Sequence, residues 1–359
     1  NLTITNTSGL KLAASTAATV SGTLSLSGDL DINANTLTLN SAAAAQSITG
    51  SASSRQITST GNGIVSLTGS GAHTITVSSL TGLTFGSTVT LQFNSNATLD
   101  CGGNGTSTSL VTVNGTLQMN SVTNSNIANS HPPFYGSSST LEYKVSYGVF
   151  DEWKSGTALT TPGVPQNVKI NGSGITVTMP TTTRSILGNM DITAGTLALS
   201  TTSGSDINVG GNWTNAGTFT PNSRAVFFVG ASGNQTITKS GGETFDYVII
   251  NKAADNVVLA NAAAINQTLT LTNGKLDIAN NNLTLNSGTA SASTSSYIAT
   301  TGTGKVIKTH TGSFDYPIGP NTTNYAPLTI NNTGSSQTDT VAVANTTYSP
   351  SNDGAKWQW

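Results

Sequence analysis

Apolar and polar residues alternate along almost the whole chain, in short runs broken by Gly, Ser, Thr and Asn. Leu24-Ser-Leu26, Leu30-Asp-Ile32, Leu37-Thr-Leu39, Ile75-Thr-Val77 and Val89-Thr-Leu91-Gln-Phe93 all keep a period of two. That period places successive side chains on opposite faces of a strand. No window carries the 3.6-residue period of an amphipathic helix, so the pattern predicts an all-β chain. One run is written twice: residues 28–41, GDLDINANTLTLNS, and residues 274–287, GKLDIANNNLTLNS, agree at ten of fourteen positions without a gap. A shorter phrase recurs at residues 20–26 (VSGTLSL), 113–119 (VNGTLQM), 193–199 (TAGTLAL) and 272–278 (TNGKLDI). Each has a small residue, a Gly, then apolar residues at alternate positions.

Such self-similarity is the mark of a repeat architecture. The turn glycines Gly174, Gly195 and Gly217 recur at a nearly constant spacing. Tandem β-sandwiches would place a strand and turn every 8–12 residues, whereas one coil of a parallel solenoid needs about 20 or more, the interval these glycines keep. The expected fold is an all-β, right-handed parallel β-helix (β-solenoid) followed by a small β-sandwich-like module. About 13–14 coils would span about 60–65 Å at the ~4.8 Å spacing of strands. Leu30, Leu37, Leu276 and Leu283 should point inward, each contributing about 1.5–3 kcal/mol on full burial. Gly274 marks a tight turn before a strand, where a positive φ costs glycine nothing.

The alternation divides the chain. Residues 1–130 and 167–300 read as coils, and 301–359 as the β-sandwich-like module, truncated like the N-terminal end by a cut through a longer protein. Residues 131–166 interrupt the pattern. They hold six of the 21 aromatic residues and five of the 28 charged ones, so this is where the chain concentrates its chemistry. Pro132 and Pro133 lack backbone donors. A coil of about 22 residues cannot absorb this stretch without pushing the surplus outward. The segment is therefore expected to leave the inter-coil ladder and re-enter it near Val168.

Charge narrows the function classes. Only 8% of residues are charged and the net charge is −2, which gives no footing for a nucleic-acid or anionic-membrane surface. No apolar run is long enough for membrane insertion. One cysteine, Cys101, rules out an intramolecular disulfide and reads as a small buried residue. His73, His131 and His310 stand far apart with no metal-ligand spacing, and no cofactor or metal is expected. Asp29 and Asp31, echoed by Asp277, read as solvated outward positions; calcium would need six to eight oxygen ligands. Residues 101–110, CGGNGTSTSL, lack the Asp of a calcium-roll repeat.

Polysaccharide-active β-helix enzymes need carboxylates clustered on one face, and here the carboxylates are scattered. The expected protein is not an enzyme. The aromatic interruption offers one binding site: Tyr135, Tyr143, Tyr147 and Trp153, near Glu142, Asp151 and Glu152, could stack sugar rings as a glycan platform. The competing and preferred reading makes them a satellite core under a long loop. Burial of Tyr143 and Trp153 decides between the two.

Four segments in order, LEYKVSYGVFDEW (141–153), PQNVKI (165–170), GNWTNAGTF (211–219) and YPIGPNTTNYAPLTI (316–330), resemble the large repetitive surface proteins of Bacteroidetes. Trp357 fits the Trp that follows the last of these in that family. The resemblance covers residues 140–359, and residues 1–130 in style only; the family's C-terminal sorting signal is missing. It implies export by the type IX secretion system, an extracellular place on the bacterial cell surface, and a role as adhesin or filament segment. Implied partners are surface glycans or neighbouring copies and domains of the same long protein. Asp339-Thr340-Val341 fits the O-glycosylation sequence of such bacteria, with Thr340 as acceptor. The expected function is a non-enzymatic stalk or adhesin segment; a carbohydrate-binding module or a polysaccharide-active β-helix enzyme is the alternative.

Overall fold

In the computed structural model the described residues are 1–70, 73–102, 109–121, 126–128 and 130–344. They form the parallel β-solenoid that the alternation predicts, with about 13 turns in all. Among them there is no helix, hence none long and apolar enough to cross a membrane. Two compact units divide at Ala198/Leu199, within the stretch expected to be continuous coils.

The first unit winds through three parallel sheets. One stacks Leu2–Ile4, Leu24–Leu26, Gln46–Gly50, Thr74–Val77, Thr98–Asp100 and Asn126–Ile127. The second stacks Leu10–Lys11, Leu30–Asp31, Ser54–Thr58, Gly82–Phe85, Val111–Val113 and Phe134–Tyr135. The third runs from Ala18–Val20 through Thr36–Ser41, Gly63–Gly69, Val89–Phe93, Thr116–Met119 and Thr140–Tyr143 to Asn167–Thr178. Inward Leu, Ile, Val and Phe side chains fill the space the sheets enclose. Leu30, Leu37, Leu276 and Leu283 are all at most 1% exposed, as the alternation requires.

The twice-written run builds the same corner in each unit. Asp31 accepts the Asn33 amide at 2.8 Å, and Asp277 accepts the Ala279 amide at 2.9 Å. Asn33 and Ala279 turn the chain with φ of 50° and 47°. Thr60 and Thr301, one coil on, donate to the same two aspartates at 2.6 Å. Asn35 and Asn281 reach one coil back, to Ala13 O and Leu259 O, at 2.8 and 2.7 Å. The repeated polar residues are thus inter-coil staples, and their apolar companions are core. These carboxylates are fixed by hydrogen bonds, which is more structure than a solvated outward position implies.

In the second unit the coils are short and nearly uniform. Ile207 pairs with Val226, Val248 with Leu269 and Trp213 with Ile237, close to the expected repeat. Long strands there wrap a corner without ending. Thr268–Asp277 pairs first with 248–250 and then with 256–258 of Tyr247–Leu259, and Gly274 (φ 78°) supplies the bend. Some coils of the first unit are longer, with Ser54 pairing to Gly82 and Gln46 to Ile75, because their corners carry extra chain.

Near residue 300 the described part differs from a sandwich. Val306–Tyr316 still pairs in parallel with Leu283–Leu285, then antiparallel with Leu328–Val341. Val306–Tyr316 and Leu328–Val341 form a long hairpin laid on the coil before it, and between them Ile318–Gly319 still pairs in parallel with Ile298–Ala299; one sheet edge can accept an antiparallel strand without a second sheet. Trp357 lies outside the described residues, as does most of 101–110.

Candidate functional site

The stretch 131–166 does not leave the ladder where Pro132 and Pro133 stand. Phe134–Tyr135 pairs with Val111–Val113, and Thr140–Tyr143 pairs with both Thr116–Met119 and Asn167–Ile170 of the long strand. The prolines fall just before a strand, where a missing donor costs the ladder nothing. Nor is there a surplus to expel. The coil that closes from Thr140 to Asn167 is no longer than the earlier one from Ser54 to Gly82. What changes is the coil's content. The first sheet ends at Asn126–Ile127 and the second at Phe134–Tyr135, and residues 144–166 take the place of their next strands.

This segment fills the interior with aromatic rings. Trp153 and Tyr143 are fully buried and Tyr135 is 2% exposed, while Tyr147 is half-buried. The Tyr143 ring lies 6.3 Å from Trp153 and 5.7 Å from Tyr147, centre to centre. The Trp153 indole donates to Ser185 O at 2.9 Å. Tyr135, Tyr143 and Trp153 are therefore buried in the core, as the packing reading expects, and Tyr147 lies half-buried beside them. The exposed aromatic of the segment is Phe150, at 56%.

Glu152 is the keystone. Its side chain is fully buried. Oε1 accepts the Tyr143 hydroxyl at 2.8 Å and the Phe150 amide at 3.1 Å, and Oε2 lies 3.2 Å from the same amide. Its backbone carbonyl accepts the Tyr135 hydroxyl at 2.8 Å. Burial pushes the carboxyl up to about 6, against the opposing pull of the Phe150 amide, the Tyr143 hydroxyl and the nearby Arg184 charge. The phenols of Tyr143 and Tyr135 are raised well above their ordinary value by the same burial and by the neighbouring carboxylate. Arg184 donates to Thr182 Oγ1 and to Thr183 O at 3.1 Å, and burial lowers its guanidinium. Backbone groups without a ladder find local partners. Lys154 N donates to Gly163 O at 2.6 Å and Gly163 N to Pro133 O at 2.8 Å. Gly163 has φ 80°, and a Cβ there would stand 2.7 Å from Asp151 O.

A fully enclosed carboxylate whose oxygens serve Tyr143 and Phe150 acts as an internal tie. Sequence reasoning placed Glu152 beside a platform and missed Arg184. The usable signal was the juxtaposition of Glu152 with Trp153 in a chain otherwise poor in charge.

A second buried carboxylate lies in the other unit. Glu243, 3% exposed, accepts the Trp213 indole at 2.7 Å and the Asn215 amide at 2.8 Å. Trp213 stands against Phe219 and Phe245, with ring centres 4.8 and 5.6 Å away. Lys252 is fully buried there too, donating to Gly230 O and Gln235 Oε1, both at 3.3 Å. The histidines stay apart: His73 meets Ser70, His131 meets Asp100 at 3.0 Å, and His310 meets Asp339 at 2.7 Å. Among the described residues no three His, Cys, Asp or Glu side chains are grouped to hold a metal. Cys101 is buried, which together with the Asp100 charge raises its thiol. Thr340 is exposed on Leu328–Val341, next to an Asp339 that also accepts the Tyr316 hydroxyl at 3.1 Å.

Comparison with protein-family models, with curated proteins and with solved structures gives no match.

Proposed function

We propose that this chain is a non-enzymatic stalk or adhesin segment of an extracellular bacterial surface protein. One observation carries the reading: where the chain concentrates its carboxylates and aromatics, they are spent on cohesion. Glu152, Tyr143, Tyr135 and Trp153 bond to one another or to backbone inside the coil stack. Glu243 does the same with Trp213 and Asn215. Glycoside hydrolysis asks for two carboxyls facing a substrate, and neither buried glutamate is presented that way. The resemblance of residues 140–359 to exported Bacteroidetes surface proteins supports the same reading and suggests type IX export. The exposed position of Thr340 suits its proposed role as an O-glycan acceptor.

The test is enzymological. The purified chain, incubated with neutral and acidic polysaccharides, should release neither reducing ends nor unsaturated products. Turnover that disappears with one carboxylate substitution, Glu152→Gln or Glu243→Gln, would overturn the proposal in favour of a polysaccharide-active enzyme.

A further inference from the structure

On the outer face of the second unit, one column of side chains steps down and up again. Asp206, Ala225 and Tyr247 stand on successive coils. Ile207 pairs with Val226 and Ala225 with Tyr247, and Asp206 Oδ1 accepts the Ala225 amide at 2.8 Å. Val226, Phe228, Val248 and Ile250 are at most 2% exposed and point inward, so Ala225, Phe227, Tyr247 and Ile249 between them point outward. A methyl group between a carboxylate and a phenol ring leaves a hollow. Ser203 on one coil and Ser223 and Arg224 on the next wall it, and it holds about 390 Å³. Small-ligand sites run from about 300 to 1,000 Å³.

Two properties set this hollow apart from the rest of the outer surface. One is its apolar wall. Tyr247, Ile249 and Phe227 lie side by side and half-buried, although they face away from the core. The patch stops on both sides, since Phe227 pairs with Asn208 and Ile249 with Thr270. The other is unspent polar capacity. Of the three arginines, Arg55 donates to Leu26 O and Ser54 O, and Arg184 to Thr182, Thr183 O and Phe150 O. Arg224 has one long bond, from Nε to Asn222 O at 3.4 Å, and no ion pair among the described residues. Asp206 uses Oδ1 alone, and the hydroxyls of Ser203, Ser223 and Tyr247 have no partner among the described residues.

We infer that this hollow binds one neutral pyranose unit of a glycan. The inference deepens the adhesin reading above and rests on it. A pyranose offers a C–H face and a rim of hydroxyls, and the hollow offers an apolar wall of Tyr247 and Ile249 with polar groups around it. Charge selects the neutral ring. A hydroxyl both donates and accepts, so it satisfies the Asp206 carboxylate and the Arg224 guanidinium in turn. A uronic acid would bring its carboxylate against Asp206, and an amino sugar its ammonium against Arg224. A protein partner needs about 800 Å² on each side, and here the apolar patch gives way to Asn208 and Thr270 within one coil.

Saturation-transfer NMR on the full chain, with the methyl glycosides of glucose, galactose, mannose and N-acetylglucosamine as probes, tests this. At least one should receive saturation, most strongly at its ring C–H protons. The uronic acid and the 2-amino form of that sugar should bind about tenfold more weakly. Arg224→Ala, and Ala225→Trp, which fills the hollow, should each weaken binding about tenfold. Thr284→Ala, an outward change on Leu283–Leu285, should leave binding unchanged. Should Ala225→Trp fail to fold, Arg224→Ala decides, since it removes a single long hydrogen bond. Saturation of none of the four sugars overturns the inference, as does binding untouched by Arg224→Ala or preference for a charged sugar. A dimer in sedimentation that Ala225→Trp dissolves would give the patch to a second copy and overturn it too. Absence of binding with no turnover would leave the stalk reading standing; turnover would remove that reading whatever the binding.

Discussion

Two neighbouring coils of the first unit close over similar lengths, one from Thr116 to Thr140 and the next from Thr140 to Asn167. The earlier coil spends its chain on strands: Asn126–Ile127 joins the first sheet and Phe134–Tyr135 the second. The later coil keeps one short strand, Tyr147–Gly148, paired with Val177–Thr178, and otherwise relies on Glu152, Trp153 and a set of local hydrogen bonds. An ordinary coil inherits its partners from the coil beneath it, because every backbone amide in register has an acceptor waiting. The later one must bring its own acceptor, and a buried carboxylate serves because it takes both a backbone amide and a phenol. What the difference teaches is that regularity is cheap in sequence, whereas a single irregular coil needs several specific residues to agree.

The sharpest way to test that contrast is Trp153→Ala. Removing a fully buried indole from the irregular coil should cost about 3–5 kcal/mol, as for other buried aromatic truncations. Chemical denaturation followed by the far-ultraviolet β-sheet signal reads it; a loss below about 1 kcal/mol would mean that the ring is not holding this coil.

Next comes pH. The Glu152 carboxyl is raised to about 6 in the folded chain from an ordinary 4.5. The folded state therefore holds a proton that the unfolded state releases. Its contribution is fully present below pH 4.5 and is lost as pH rises through 6. The difference of about 1.5 units corresponds to about 2 kcal/mol. Glu152→Gln should flatten the dependence of stability on pH across that window, and an unchanged slope in the variant would assign the titration to another group.

The smallest effect belongs to the regular coils. Asp31→Ala removes the acceptor for Asn33 N and Thr60 Oγ1 at one corner and should cost about 1 kcal/mol, in the range of a lost cap. A loss as large as that from Trp153→Ala would erase the distinction between the two kinds of coil.

Alternation made the core legible. Leu37 and Leu283 could be placed inward because a period of two leaves no other choice once one face is apolar. The corners were half legible. Gly274 was read as a turn, but Asp31, Asn35 and Asn281 show as staples only when the neighbouring coil is in place. The irregular coil was misread in one respect and left with two readings in another. Its extent was counted from residue 131, whereas the ladder continues through Phe134–Tyr135 and Thr140–Tyr143. Its aromatics were weighed as a platform because nothing in a linear sequence brings Ser185 to the Trp153 indole, 32 positions away. Glu152 was illegible for a related reason. A buried carboxylate runs against the default for its type, and only the fold supplies the Tyr143 hydroxyl that makes it tolerable.

The third sheet passes unbroken through the coil at which the other two stop. Below that point a turn of the chain has three separate strands. Above it Asn167–Thr178 pairs with Met190–Ala198, Val168 meeting Met190, and the corner is turned by bends inside the strands. One continuous ladder thus joins coils cut into separate strands to coils whose strands run round a corner, with residues 144–166 as the adaptor between them. The change of corner is confined to one coil, and the shared ladder carries the stack across it.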